Sequence, residues 1–149
     1  MGLTRSSKIF KRRTEENDLK GYHSLIALLG NPNVGKSTIF NALTGMHQHT
    51  GNWPGKTVSN AEGNFRTKHN TYDIVDLPGI YSLEAFSDEE KIARDFIENK
   101  DIDIIIVVVD STSLERNLNL LLQTRNIKGN IIVCLNLIDE ARKKGIKID

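Results

Sequence analysis

Apolar segments alternate with segments of helical periodicity over most of the chain. Runs rich in β-branched residues, or alternating between apolar and polar positions, predict strands over 24–30, 57–68, 71–79, 101–110 and 130–136. Apolar residues spaced three or four apart predict helices over 36–45, 88–99 and 113–126, and a further helix from 138. Because strands and helices alternate, the sequence predicts a three-layer α/β domain with a mostly parallel sheet. His69 and Asn70 join two consecutive strands, which predicts one antiparallel hairpin at the sheet edge.

Local signals mark where the predicted helices begin and end. Gly45 ends the first helix, since glycine accepts the left-handed conformation common at helix C-termini. Ser87 is the predicted N-cap of the second helix, and Glu90 completes a capping box with it. Ile39, Phe40 and Leu43 share one face of the first predicted helix. A stripe on the third is predicted to pack in the core and comprises Leu114, Leu118, Leu121 and Leu122.

Residues 1–21 are polar and differ in character from the rest of the chain. Their basic cluster comprises Lys8, Lys11, Arg12 and Arg13. They are predicted to form a flexible basic arm, followed by one folded domain over 22–149. Electrostatic attraction of the arm to a membrane surface is the alternative. The formal net charge of +1 disfavours generic attraction to nucleic acid, so nucleic acid is not an expected partner.

The longest apolar run and the cysteine content indicate whether the chain could span a membrane or form a disulfide. The strongest apolar run, from Ile104 to Val109, is far shorter than the about 20 residues that a membrane span needs. It therefore predicts a buried parallel strand, and no membrane-spanning helix is expected. The one cysteine, Cys134, excludes an internal disulfide and is predicted to be a buried, unreactive thiol.

The segment GNPNVGKST, residues 30–38, has the spacing of a phosphate-binding loop. Gly30, Gly35, Lys36 and Ser37 satisfy G-x-x-x-x-G-K-[ST] between a predicted strand and a predicted helix. Glycines let successive backbone N–H groups surround phosphate oxygens, and the helix directs its positive end at them. Lys36 can then reach the β- and γ-phosphates, and the Ser37 hydroxyl can ligate magnesium. The residues predicted to contact the nucleotide here are Gly30, Asn31, Pro32, Asn33, Val34, Gly35, Lys36, Ser37 and Thr38.

Two further motifs, DLPG and NLID, indicate which nucleotide binds. The Asp76 carboxylate can hold magnesium through a water, and the Gly79 N–H can contact the γ-phosphate. The Asp139 carboxylate can accept hydrogen bonds from the guanine N1–H and exocyclic amine, a donor pair that adenine lacks. Both motifs end predicted strands, where open α/β sheets bind their ligands. The second group of predicted contacts is Asp76, Leu77, Pro78, Gly79, Asn136, Leu137, Ile138 and Asp139.

Together these motifs resemble the N-terminal GTPase (G) domain of the ferrous iron transport protein B family, FeoB. The resemblance covers about residues 23–149 and rests on GNPNVGKSTIFNALTG, GNWPGKTV, VDLPGIYSL, ARDFI, ERNLNLLLQ and NLID. It implies a Ras-like P-loop domain that binds GTP and GDP with magnesium and hydrolyses GTP slowly. It also implies that the nucleotide state gates ferrous iron uptake through a membrane permease region absent from this chain. The domain would then lie at the cytoplasmic face of a bacterial plasma membrane.

The segment GNWPGKTV, residues 51–58, is predicted to be a loop because it holds two glycines and a proline. GTPases of this class have their first switch here, and the resemblance implies that Thr57 ligates magnesium when the γ-phosphate is present. Lys56 is expected to be solvated. Trp53 is either a packing anchor or a contact for a partner. The nucleotide contacts predicted in this loop are Gly55, Lys56, Thr57, Val58 and Ser59.

The chain departs from an ordinary GTPase in three places. Ile80 stands where Ras-like proteins carry the glutamine that orients water, so hydrolysis is expected to be slow. Leu137 replaces a lysine that covers the base, which predicts weaker nucleotide affinity. The sequence ends at Asp149, before the last strand and helix of such a domain, so the domain is expected to be incomplete. Catalysis is assigned to Lys36, Thr57 and Gly79, without a general base.

The resemblance also implies a role for Asn33, and several alternative functions stay open. By resemblance, Asn33 ligates a potassium ion that brings positive charge to the phosphates. A turn residue that tolerates left-handed geometry is the alternative. Other functions stay open: a non-hydrolysing or truncated regulatory module, a potassium-stimulated GTPase of ribosome or RNA maturation, and an ATP-using P-loop enzyme. The NLID motif disfavours the last of these.

Overall fold

A computed structural model describes residues 22–149, which form a six-stranded sheet with helices on both faces. The strands are β1 (Tyr22–Gly30), β2 (Gln48–Asn52), β3 (Ser59–Arg66), β4 (Asn70–Asp76), β5 (Ile104–Asp110) and β6 (Ile131–Asn136). The helices are α1 (Lys36–Thr44), α2 (Asp88–Asn99), α3 (Leu114–Ile127) and α4 (Ile138–Lys143). The predicted flexible arm, residues 1–21, lies outside the described residues. Within the described range, no helix has both the length and the hydrophobicity to span a lipid bilayer.

The strand order across the sheet is β2-β3-β4-β1-β5-β6. β1 lies between β4 and β5 and is parallel to both, and β5 pairs parallel with β6. β3 pairs antiparallel with β4 and with β2, so the antiparallel part lies at one edge. The predicted fold class, an α/β sheet with an antiparallel hairpin at its edge, is confirmed.

Alternation along the central strand β1 supplies both faces of the core. The first face, here called the α2 face, holds Leu25, Ala27, Leu29, Phe96, Ile97 and Leu120. The opposite face, the α1 face, holds Ile26, Leu28, Val34 and Phe40. β1 is buried on both sides from Leu25 to Gly30, and the first exposed residue after the strand is Asn33. The loop that follows β1 is therefore the first part of this segment able to meet a ligand.

The helix ends follow the predicted signals. Gly45 follows α1 with a φ of 54°, and its N–H donates to the carbonyl of Asn41 at 2.9 Å. The Ser87 hydroxyl caps α2 by accepting from the Glu90 N–H at 3.1 Å. The Glu90 carboxylate accepts from the Phe86 N–H at 2.9 Å, one residue before the N-cap, which is a variant of the predicted capping box.

The strand β2 was not predicted. Its sequence, QHTGN, is polar and exposed along most of its length, so no apolar alternation marks it. Backbone pairing with β3 holds this edge strand, rather than burial of its side chains. The prediction of a loop throughout 51–58 was therefore wrong at Gly51 and Asn52, which pair with Asn60 and Ser59.

The predicted core stripe of α3 was wrong at two leucines. Leu118 and Leu122 are 44% and 57% exposed. The buried residues of α3 are instead Asn117, Leu120 and Thr124. The Thr124 hydroxyl donates to the carbonyl of Leu120, and the Asn117 amide donates to that of Ser113, so the helix backbone satisfies both donors. Hydrophobicity alone could not identify the packed face, because two of its residues are polar.

Cys134 is half-buried rather than fully buried, and it packs against the α1 face. Burial raises the pKa of its thiol, which favours the protonated and less nucleophilic form. The predicted low reactivity is consistent with this environment, although the predicted complete burial was wrong.

Candidate functional site

The loop between β1 and α1 turns sharply at two residues. Asn33 has a φ of 63° and Gly35 a φ of 83°, and Gly35 is also the N-cap of α1. Such left-handed residues turn successive backbone N–H groups toward one side and form an anion-binding nest. The first hydrogen bond of α1 joins the Ile39 N–H to the Gly35 carbonyl at 3.2 Å. The loop thus has the backbone geometry that the sequence motif predicts.

An open cleft of about 420 Å³ lies against this loop. The residues that line it are Asn31, Pro32, Asn33, Gly35, Lys36, Ser37, Thr38 and Gly79. Gly79 comes from the segment after β4, and a Cβ at that position would lie 3.1 Å from the Pro32 Cα. The absence of a side chain at Gly79 therefore lets the DLPG segment approach the loop. The structure brings two of the three predicted motifs together at this cleft.

Lys36 joins the loop to the end of β4. Its Nζ contacts the Asp76 carboxylate and donates to the Leu77 carbonyl at 2.6 Å. Burial raises the pKa of Asp76, and the attraction of Lys36 opposes this shift only in part. The contribution of this carboxyl to stability is thus present below its ordinary pKa and is lost as the pH rises through the raised one. A carboxylate that costs stability at neutral pH is typical of functional sites.

The NLID segment contacts the phosphate-binding loop directly. The Asn136 amide donates to the Val34 carbonyl at 2.8 Å, and the Asn136 carbonyl accepts from the Ser111 N–H at 3.0 Å. A Cβ at Gly35 would lie 2.3 Å from the Asn136 Nδ2. Gly35 is therefore needed for the space that Asn136 occupies as well as for its positive φ. Sequence reasoning assigned Asn136 to the base and missed this link.

Leu137 and Asp139 follow at the start of α4. Leu137 adopts a φ of 59°, a left-handed conformation that costs a non-glycine residue about 1 to 2 kcal/mol. Its carbonyl accepts from the Ala141 N–H at 3.0 Å, so this conformation begins the helix. Asp139 lies in the first turn of α4 and is exposed. Strained backbone at a loop next to a ligand cleft is a common property of binding sites.

Residues 53–58, here called the switch turn, lie apart from the cleft. The turn is closed by hydrogen bonds from the Trp53 N–H to the Val58 carbonyl at 2.9 Å and from the Lys56 N–H to the Trp53 carbonyl at 3.0 Å. Thr57 is exposed and does not line the cleft. The structure therefore does not bring Gly55, Lys56, Thr57, Val58 and Ser59 to the phosphate loop, and their nucleotide contacts stay predictions.

Two side chains of the switch turn contact α2. The Trp53 ring lies 5.7 Å from that of Phe96 at an interplanar angle of 74°, so Trp53 is the packing anchor of the two alternatives. The Lys56 Nζ lies 3.0 Å from the Asp88 carboxylate, and its side chain stays 41% exposed, so the expectation of a solvated lysine holds although its ion pair was not predicted. Both partners are distant in sequence, and no local signal could have identified them.

The sequence also did not predict several other contacts around the cleft. Ile80 is 2% exposed and packs in the core, while its N–H donates to the Gly30 carbonyl at 3.1 Å. Arg116 of α3 has its guanidinium 5.6 Å from the centre of the Tyr81 ring, and its carbonyl lies 3.5 Å from the Asn31 amide nitrogen. The phosphate loop and the segment after DLPG are thereby tied to the sheet and to α3.

The strand order and the glycine-rich loop between β1 and α1 define a P-loop nucleotide-binding domain of the G-domain class. The chain belongs to the ferrous iron transport protein B family, whose model matches residues 24–149. The resemblance inferred from the motifs is therefore confirmed over nearly the whole described range.

Solved structures of this family agree with the fold. The G domain of the T. maritima FeoB iron transporter is 46% identical with a TM-score of 0.81, over 86% of this chain and 78% of that one. The cytosolic domain of T. maritima FeoB in a GDP form is 47% identical with a TM-score of 0.80, over 87% of this chain and 51% of that one.

Curated relatives are much longer than this chain. The Fe(2+) transporter FeoB of Methanocaldococcus jannaschii is 57% identical over 105 residues, which are 70% of this chain and 15% of that protein. The Fe(2+) transporter FeoB of Campylobacter jejuni is 44% identical over 124 residues, 83% of this chain and 20% of that protein. The chain therefore spans about one fifth or less of the length of these relatives.

Proposed function

We propose that this domain binds GTP and GDP and hydrolyses GTP slowly to GDP and phosphate. The observation that carries the proposal is the convergence of three strand ends on one loop. The loop follows β1, Lys36 within it contacts Asp76 at the end of β4, and Asn136 at the end of β6 contacts Val34 of the loop. The crystal structure of a relative in a GDP form supports a guanine nucleotide as the ligand.

The residues of the cleft and of the NLID segment match successive parts of a nucleoside triphosphate. The backbone of residues 30–38 holds the phosphates, and Lys36 turns from Asp76 toward the β- and γ-phosphates when they are present. The Gly79 N–H contacts the γ-phosphate. Asp139 accepts hydrogen bonds from guanine, and Asn136 fixes the base loop against the phosphate loop.

Magnesium is the metal that the oxygen donors near the cleft suit. The Ser37 hydroxyl at the cleft and the Asp76 carboxylate, which contacts Lys36, are hard oxygen ligands, and Thr57 would join them from the switch turn. Magnesium, when bound, neutralises negative charge on the β- and γ-phosphates. Among the described residues, no cluster of three or more His, Cys, Asp or Glu side chains offers a different metal site.

We expect hydrolysis to be slow because the residue that follows Gly79 is Ile80. Ile80 is buried in the core, where its apolar side chain can neither orient nor deprotonate water. Catalysis then rests on positive charge and backbone N–H groups at the phosphates, with Lys36, Gly79 and Thr57 in these roles. A non-hydrolysing nucleotide-binding module is the second candidate, since the burial of Ile80 favours it too.

In the complete protein, we propose that this domain reports its nucleotide state to a membrane permease region that takes up ferrous iron. The two much longer relatives are named as Fe(2+) transporters, and the matched region is 15% and 20% of their lengths. The folded unit 22–149 would lie at the cytoplasmic face of the plasma membrane, with residues 1–21 as a basic arm.

Calorimetry with GDP, a non-hydrolysable GTP analogue and ATP, each with magnesium, tests the proposed ligand. Both guanine nucleotides are expected to bind, and ATP to bind at least about 1,000-fold more weakly, because adenine cannot donate the hydrogen-bond pair that Asp139 accepts. Release of phosphate from GTP then separates hydrolysis from binding alone. Equal affinity for ATP and GDP would refute the guanine assignment.

Potassium is expected to accelerate GTP turnover at least about tenfold over sodium, if Asn33 positions a cation beside the phosphates. Asn33→Gly is the decisive variant, because glycine keeps the observed φ of 63° while it removes the amide oxygen. This variant should bind GDP normally and lose the difference between the two salts. Equal turnover of the unmodified protein in both salts would exclude potassium, and a retained difference in Asn33→Gly would restore the turn interpretation.

A further inference from the structure

The switch turn is held on α2 by two independent contacts. Trp53 packs edge-on against Phe96, and Lys56 forms an ion pair with Asp88 at 3.0 Å. Phe96 is buried in the core, whereas Lys56 and Asp88 are both well exposed. The first contact is therefore an apolar anchor and the second a solvent-screened ion pair.

The contacts of Trp53 with Phe96 and of Lys56 with Asp88 are here called the seat. The Trp53 contact lies on the opposite side of the sheet from α1, the helix that follows the phosphate loop. Trp53 packs against the α2 face, whereas Phe40 of α1 packs in the α1 face. Thr57 belongs to the same closed turn as Trp53 and Lys56 and is exposed to solvent outside the cleft. While Trp53 and Lys56 contact α2, Thr57 does not line the cleft that includes Ser37.

Two features lower the free-energy cost of releasing the switch turn from α2. The Trp53 Nε1 is buried and has no hydrogen-bond partner among the described residues, and an unpaired buried donor costs about 1 to 3 kcal/mol. This cost offsets part of the gain from packing the ring. Gly55 has a φ of 70°, so the turn contains a residue whose backbone can change conformation without steric penalty from a side chain.

We propose that Phe96 and Asp88 are positioning residues that hold the switch turn away from the phosphates and so discriminate between GDP and GTP. The inference rests on the proposed function, in which Thr57 moves to magnesium when the γ-phosphate is present. Binding of GTP with magnesium must then break both contacts with α2. Binding of GDP, which offers no γ-phosphate, leaves the seat intact.

Linkage gives this arrangement a measurable consequence. A ligand that binds only when the turn is released must first break the seat contacts, so its binding free energy is reduced by the free energy of those contacts. A ligand that binds equally well in both conformations loses nothing. Weakening the seat should therefore tighten the GTP analogue and leave GDP unchanged. A residue that merely stabilises the fold would change the affinity for both nucleotides together.

The test compares Phe96→Leu and Asp88→Asn with the unmodified protein by calorimetry with magnesium. Phe96→Leu keeps an apolar side chain in the core and removes the ring contact, so the Kd of the GTP analogue should fall about 2- to 10-fold. Asp88→Asn should lower it about twofold, because the ion pair is exposed. The Kd of GDP should not change in either variant.

Matched controls separate the seat from general effects on α2. Glu89→Gln removes the same charge from the same exposed first turn and should leave the ratio of the two Kd values unaltered. Asp88→Glu keeps the carboxylate and should restore the ratio. Trp53 is the only tryptophan, so its emission should shift to longer wavelength when the GTP analogue binds and not when GDP binds.

The outcomes separate failure of the proposed nucleotide-binding function from failure of the proposed role of the seat. Lack of nucleotide binding by the unmodified chain would refute the proposed function and with it the role of the seat. Normal binding with an unchanged ratio in both variants would refute the seat alone. Equal shifts for GDP and the GTP analogue would make Phe96 and Asp88 structural residues only. Asp88→Asn lies at the surface and decides the matter even if Phe96→Leu fails to fold.

Discussion

Replacement of Asp139 by asparagine is expected to weaken GDP binding about 100- to 1,000-fold and to move the preference from guanine to xanthine. The carboxylate accepts from the guanine N1–H and exocyclic amine, and hydrogen bonds to a charged group are each worth about 1.5 to 3 kcal/mol. Asparagine would instead direct an N–H₂ group at one of these donors. Xanthine carries a carbonyl in place of the exocyclic amine, so the amide of the variant can donate to it.

Competition between GDP and xanthosine diphosphate measures this change. Glu140→Gln is the matched control, since it removes a neighbouring negative charge that pairs with Lys143 rather than with the base. The control should retain the preference for guanine, which excludes a general electrostatic effect. An Asp139→Asn variant that still prefers GDP would mean that the NLID segment does not contact the base.

Gly35→Ala is expected to weaken binding of both guanine nucleotides about 100-fold. Alanine at a φ of 83° costs about 1 to 2 kcal/mol, and its Cβ would lie 2.3 Å from the Asn136 amide. The amide must then leave the Val34 carbonyl, which loses a hydrogen bond worth about 1 kcal/mol. Both changes act at the loop that surrounds the phosphates.

A double-mutant cycle separates the two costs of Gly35→Ala. In an Asn136→Ala background the clash is absent, so Gly35→Ala should cost less there, by roughly the free energy of the lost hydrogen bond. Gly129→Ala is the control, because a Cβ at Gly129 meets nothing within 4 Å. Additive effects on the Kd of GDP would show that Gly35 and Asn136 act independently, contrary to the geometry.

The phosphate loop could be predicted from sequence because its requirements are local. The spacing of Gly30, Gly35 and Lys36 encodes a turn and a helix start within a few residues, and the structure has both. The helix caps at Gly45 and Ser87 were predicted for the same reason. Signals of this kind depend on backbone conformation and nearby hydrogen bonds, which short segments determine largely by themselves.

Features that depend on partners distant in the chain could not be predicted. β2 has no apolar pattern, and only its pairing with β3 identifies it as a strand. Leu118 and Leu122 follow a helical stripe, yet Asn117 and Thr124 occupy the packed face of α3 because their donors bond within the helix. Hydrophobic periodicity predicts that a helix is present more reliably than it predicts which face of the helix is buried.

The sequence by itself determined the order of the described strands and helices except β2, the phosphate-binding loop and the family. These depend on residue types at fixed local spacings, and each carries its signal within one short segment. Only the tertiary structure decided that Lys36 meets Asp76, that Asn136 meets Val34, and that Trp53 lies on Phe96. Each of these contacts joins residues whose separation in space is set by sheet order and by the packing of helices on its two faces. A linear pattern contains no measure of those distances.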